Sequence, residues 1–148
     1  MKIFVSACLL GRNTKYDGTN NYNKELLEIL KEHELFTLCP EVSGGLGIPR
    51  DPCEQIGNKV ISDKGKDCTE NYLLGAKKVL DICLKNDIHV AVLKERSPSC
   101  GVASVYDGSF SHQLIASSGV TTLILKDMGI KVFSEEQLDD LKKYLILR

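Results

Sequence analysis

Four short apolar runs alternate with four segments of helical periodicity along this chain. Lys2 to Ala7 is β-rich and apolar and stops at Cys8-Leu9-Leu10-Gly11, the pattern of a buried first strand. Asn23 to His33 sets Leu26, Leu27, Ile29 and Leu30 among charges, which predicts an amphipathic helix. Leu35 to Cys39 predicts a second strand, cut off by Pro40. Pro40 to Pro52 holds three prolines and three glycines in thirteen residues and reads as loop, and Lys59 to Ser62 as a short excursion strand. Asp67 and Glu70 have capping-box spacing, and the helix they would start turns Tyr72, Leu73, Ala76, Val79, Leu80 and Cys83 inward. His89 to Leu93 is the third strand. A Gly- and Ser-rich loop with a Tyr106-Asp107-Gly108 turn follows it. Val120 to Met128 reads as a helix closed by Gly129, and Ile130 to Phe133 as the fourth strand. Ser134 and Gln137 are placed to cap a last helix with Leu138, Leu141, Tyr144 and Leu145 inward.

Apolar strands separated by long helices imply parallel pairing through right-handed crossovers. The expected fold is therefore α/β, a three-layer α/β/α sandwich on a small, mainly parallel, Rossmann-like sheet. At 148 residues the chain fits one domain, residues 1–148. Ligands of such sheets bind beyond the carboxyl ends of the strands.

Charge removes several functions. With 19 basic against 20 acidic residues, the chain lacks the cationic surplus of a nucleic-acid backbone binder. No apolar run approaches the roughly 18 residues of a membrane helix. Val5-Ser6-Ala7-Cys8 looks like a lipoprotein cleavage box, but only Ile3, Phe4 and Val5 precede it as an apolar run. A cytoplasmic protein is expected.

Six cysteines then need an account. Their successive intervals of 31, 14, 15, 15 and 17 contain no C-x-x-C pair, which removes zinc ribbons, thioredoxin-type pairs and ferredoxin-type runs. Cys8, Cys39 and Cys100, however, each lie where a strand gives way to a loop. In a parallel sheet those ends share one edge, so the three can converge. Converging thiolates leave one position open on a four-coordinate ion such as zinc, or one open iron on a [4Fe–4S] cluster. Three unrelated buried thiols are the plain alternative. Cys83 falls on the inward stripe of a helix, as a small hydrophobe does.

The stretch Cys39-Pro40-Glu41-Val42-Ser43-Gly44-Gly45-Leu46-Gly47-Ile48-Pro49-Arg50-Asp51-Pro52 is the second informative one. Gly44 and Gly45 allow close backbone approach and N–H groups for an anion or a sulfide, or simply a stiff connection. Glu41 is either a general acid/base or a solvated loop charge. Arg50 is either a clamp on a substrate oxygen or a partner for Asp51 or Glu54. Asp17 and Asp107 sit in Tyr-Asp-Gly turns, and Ser97 and Ser99 flank Pro98 beside Cys100.

Taken together, these segments resemble a known family. Val5-Ser6-Ala7-Cys8-Leu9-Leu10-Gly11 with Tyr16-Asp17-Gly18 comes first, followed by Cys39-Pro40-Glu41-Val42, Gly44-Gly45-Leu46 and Pro49-Arg50-x-Pro52-x-Glu54. Ser97-Pro98-Ser99-Cys100-Gly101 with Tyr106-Asp107-Gly108 completes the set. In that order they resemble the thiouracil desulfurase-like family, formerly a bacterial domain of unknown function. The resemblance implies an oxygen-sensitive [4Fe–4S] cluster held by Cys8, Cys39 and Cys100, and a small thiolated substrate such as 2-thiouracil. It implies desulfuration by non-redox hydrolysis, releasing hydrosulfide at the open iron, with Glu41 and Ser97 as catalytic candidates. Asp17, Gly44, Gly45, Arg50, Glu54 and Ser99 become candidates for substrate binding, and Lys94 for orienting it. Cys53, standing before Glu54 where the family has a small residue, and Ser111-His112-Gln113 depart from the pattern. A metal- or cluster-binding sulfur carrier or sensor would need the same cysteines and no acid/base.

Overall fold

The computed structural model describes residues 1–147. In chain order its elements are β1 (Lys2–Ser6), a 3₁₀ turn (Ala7–Leu10), α1 (Lys24–Leu30), β2 (Glu34–Leu38) and α2 (Pro40–Ser43). Then come β3 (Cys53–Ile56), β4 (Lys59–Ser62), α3 (Thr69–Lys85), β5 (Val90–Leu93), β6 (Ser104–Tyr106) and β7 (Leu114–Ala116). The chain closes with α4 (Val120–Asp127), β8 (Lys131–Ser134) and α5 (Leu138–Ile146).

The four apolar runs form one parallel sheet in the order β2-β1-β5-β8. Alternate residues of each strand face opposite sides. Ile3, Val5, Val90, Val92 and Phe133 pack with Leu26 and Leu30 of α1 and Leu141 of α5. Phe4, Ala91, Leu93 and Val132 pack with Val79 and Cys83 of α3 and Leu125 of α4. Helices thus cover both faces, and the three-layer α/β arrangement is present. In register, Ser6 stands opposite Leu38, and Val5 opposite Val92, so β1, β2 and β5 end along one edge.

The structure departs from the sequence expectation at several connections. The proline- and glycine-rich stretch is not all loop: Pro40 sits at the first position of the short helix α2, where its missing N–H has no partner to lose. α2 lies against α3 backbone to backbone. A Cβ at Gly44 would come 2.0 Å from the Asn71 carbonyl oxygen, and one at Gly75 1.8 Å from the Pro40 carbonyl oxygen. Directly after that stretch Cys53 opens a strand the sequence did not announce, β3, which pairs antiparallel with β4. The Gly- and Ser-rich segment contains the hairpin β6–β7, whose three-residue strands are too short to show a period. Asp67 accepts the Thr69 N–H at 3.0 Å and hydroxyl at 2.6 Å, a turn two residues long rather than a box with Glu70. Gln137 Oε1 accepts the Ser134 N–H at 2.9 Å, and α5 starts only at Leu138.

Candidate active site

A cavity of about 630 Å³ opens where β1, β2 and β5 end, and Cys8, Cys39 and Cys100 all line it. Each thiol is delivered by a different local device. Cys8 lies on the 3₁₀ turn after β1, closed by Gly11 at φ 92°, a backbone setting that favours glycine. Cys39 is the residue before α2. Cys100 sits in a tight turn wound around Ser97: the Ser97 hydroxyl accepts the N–H groups of Ser99 and Cys100, both at 3.0 Å, and the Gly101 N–H bonds the Ser97 carbonyl at 2.8 Å. All six cysteines are free.

Burial pushes the Cys100 thiol well above its ordinary value; the Ser6 hydroxyl pulls the other way, and nearby Cys39, Cys8 and Glu41 push further up. Burial likewise raises Cys8, opposed by a hydrogen bond from Asn21 and by Lys94, and reinforced by Cys39. These thiols resist ionising together until a cation shares the cavity. Cys53 also reaches the cavity wall, but burial pushes its thiol up to about 12, and it packs with Cys68, Val60 and Tyr72. Cys83 is buried in the core between α3 and the sheet, its thiol pushed up to about 11.

The same cavity is lined by a carboxylate with three side-chain partners. Glu41 Oε1 accepts the Tyr72 hydroxyl at 2.7 Å and faces Arg50 Nε at 3.3 Å, while Oε2 accepts the Ser97 hydroxyl at 3.4 Å. Arg50 therefore pairs with Glu41, not with Asp51 or Glu54, and its other nitrogens reach the carbonyls of Thr14 (2.8 Å) and Gly47 (3.3 Å). Asp51 is engaged by Lys64 instead.

The remaining candidates divide. Glu54 lines the cavity, but its Oε1 accepts the N–H groups of Gly108 (3.0 Å) and Phe110 (3.1 Å), fixing the β6–β7 loop that brings Phe110 and His112 to the rim. Gly44 and Gly45 do not line the cavity. Their N–H groups bond the carbonyls of Pro40 and Val42, so the expected anion cradle is a helix end packed on α3. Asp17 is exposed and bonds Thr19, which holds its carboxyl below the usual range. Ser99 is fully buried behind the turn, its hydroxyl paired with that of Thr121 at 2.7 Å. Lys94 lines the cavity with its ammonium spent on Glu135 (3.0 Å) and the Glu95 carbonyl (2.9 Å).

Two residues were not anticipated as part of the site. Tyr72 fits the inward stripe of α3 so well that its hydroxyl gave no separate signal. Glu95, between Lys94 and Arg96, has the look of a solvated loop charge. In fact it is 3% exposed, and its Oε1 accepts the N–H groups of Val102 (2.7 Å), Ala103 (3.0 Å), Ser104 (3.1 Å) and Arg96 (3.3 Å).

Comparison with known proteins now bears on this geometry. The 2-thiouracil desulfurase family model matches residues 3–137. The chain belongs to that family. A solved structure of a [4Fe–4S]-dependent thiouracil desulfidase, TudS, is 43% identical, with a TM-score of 0.93 and 99% of each chain covered. The uncharacterized protein YbbK of Bacillus subtilis (strain 168) is 37% identical over 149 residues, covering 94% of this chain and 99% of the relative. The family places the chain among enzymes that cleave a carbon–sulfur bond.

The residues present fit a cluster. Three soft thiol donors share one cavity wall, and the Thr14 hydroxyl on that wall is buried without a hydrogen-bond partner. A mononuclear zinc, at about 2.3 Å from each sulfur, needs donors drawn to one point. Among the described residues no three Cys, His, Asp or Glu side chains close in that way.

Proposed function

We propose that this protein removes sulfur from a small thiocarbonyl compound such as 2-thiouracil, with a [4Fe–4S] cluster held by Cys8, Cys39 and Cys100. The observation that carries this reading is that these three thiols share one cavity with the clamped pair Glu41 and Ser97. When bound, such a cluster supplies an iron without a protein ligand, a Lewis acid soft enough to favour sulfur over oxygen.

The protein's own groups handle water and protons. Glu41 takes the proton of the attacking water, and Arg50 and Tyr72 hold its carboxylate in place for that task. The Ser97 hydroxyl already accepts two backbone N–H groups, so its own proton is free to be donated to Glu41 or to substrate. Water adds its oxygen to the thiocarbonyl carbon, the carbon–sulfur bond breaks, and sulfur leaves as hydrosulfide. Thiocarbonyl plus water gives carbonyl plus hydrogen sulfide, with no electrons exchanged. Phe110, Tyr106 and His112 line the cavity and are of the residue types that pack against a planar ring. No helix among the described residues is long and apolar enough to cross a membrane, and six free thiols suit the reducing cytoplasm, where we place the reaction.

The test is anaerobic reconstitution with iron and sulfide, then metal analysis and sulfide release from 2-thiouracil without added reductant. Single Ser replacements of Cys8, Cys39 and Cys100 should lose iron and activity together, because harder oxygen ligands hold iron–sulfur clusters poorly. Glu41→Gln should keep its iron and lose turnover. Unchanged sulfide release by that variant would remove Glu41 from the reaction. A wild-type protein that binds the cluster and releases no sulfide would instead be a carrier or sensor.

A further inference from the structure

At Cys100 there is a hydrogen-bond relay separate from the Glu41–Ser97 pair. Ser6, the last residue of β1, is 2% exposed, and Cys100 is 4% exposed. The backbone N–H of Lys94, just past the end of β5, donates to Ser6 Oγ at 3.1 Å. Ser6 Oγ in turn donates to Cys100 Sγ at 3.5 Å, across 94 residues of chain. A serine hydroxyl has one proton. With the Lys94 N–H approaching the oxygen's lone pairs, that proton is turned toward sulfur, so the relay has a direction.

We propose that Ser6 is a positioning residue for the cluster, its hydroxyl donating to the Cys100 thiolate to steady this ligand and temper its charge. The inference rests on the cluster reading above. A thiolate needs donors where a buried thiol does not. Hydrogen bonds to ligating sulfurs set how strongly a cluster is held and at what potential it is reduced. Ser6 was visible in the sequence only as a small residue two positions before Cys8. Its reach to a cysteine on another loop depends on β1 and β5 lying side by side.

The experiment compares wild type, Ser6→Ala and Thr122→Val, all reconstituted anaerobically. Thr122 donates its hydroxyl at 2.9 Å to the Cys100 carbonyl, so its replacement also removes a buried bond to the same residue without touching the sulfur. Both variants should melt somewhat below wild type as apoproteins. In Ser6→Ala alone, the cluster's reduction midpoint should move to more negative potential and iron should pass to a chelator several-fold faster. If Ser6→Ala and Thr122→Val give the same midpoint and chelation rate as wild type, Ser6 only ties β1 to β5 and the proposal fails. If both variants shift equally, the effect is general loosening of the turn, and the proposal fails as well. If wild type takes up no iron and sulfide, the cluster reading falls and this inference falls with it.

Discussion

Glu95 holds the turn that presents Cys100, and its replacement gives a sharp test of the site's architecture. One buried oxygen accepts four backbone N–H groups, three of them from the consecutive residues Val102, Ala103 and Ser104. Hydrogen bonds to a charged group contribute about 1.5–3 kcal/mol, but four donors sharing one oxygen do not add in full. Glu95→Ala leaves the 5%-exposed Val102 and its neighbours without an acceptor. A loss of about 3–5 kcal/mol is expected, since each orphaned buried donor costs about 1–3 kcal/mol. Glu95→Gln keeps an acceptor oxygen and loses only the charge, so about 1–2 kcal/mol is expected, or roughly 3–8 °C in Tm for a chain of this length. The pH dependence has a definite sign. Burial would raise the Glu95 carboxyl, but the backbone donors outweigh it and hold the group below its usual range. A depressed carboxyl stabilises the fold fully above its unfolded value of about 4.3 and loses that contribution as pH falls through the folded value. The assay is thermal melting of the apoproteins from about pH 7 down to about pH 3.5, which keeps cluster loss out of the measurement. The gap between wild type and Glu95→Gln should be widest near neutrality and narrow in acid. Equal melting near pH 7, or a gap that does not change with pH, would refute the charge-based account of this turn.

Two further outcomes follow from the same contacts. Tyr72→Phe removes the 2.7 Å bond to Glu41 but no wall of the cavity; kcat should fall roughly tenfold, the equivalent of about 1.4 kcal/mol of the bond's worth, with KM and iron content unchanged, and steady-state kinetics showing a raised KM at constant kcat would contradict this role. Cys83→Ala removes one small group from the core between α3 and the sheet; calorimetry should show a loss near 1 kcal/mol, with iron content and turnover at wild-type levels.

What could be read from the sequence follows a physical division. The strands of the main sheet declare themselves because helices cover both faces, so β1, β5 and β8 are nearly continuous buried apolar runs and the edge strand β2 a half-buried one. The position of the thiols was legible for a related reason. A parallel sheet collects its strand ends on one edge, so Cys8, Cys39 and Cys100 converge without any local spacing motif. The glycines were misread because Gly44 is required by an approach to α3, and nothing within the Pro40–Pro52 stretch indicates that a helix thirty residues later will press against it.

The partners of the candidate site residues were illegible for the same reason. Glu41 meets Tyr72 and Ser97 across 31 and 56 residues, and Ser6 meets Cys100 across 94. Residue type announces what a side chain is able to do, and the sheet topology announces where strand-end side chains gather. Which donor faces which acceptor is decided by packing at the level of single ångströms. A chain of this kind therefore reveals its candidate ligands before it reveals the hydrogen bonds around them, and Glu95, charged in sequence and buried in structure, marks where the two kinds of information part.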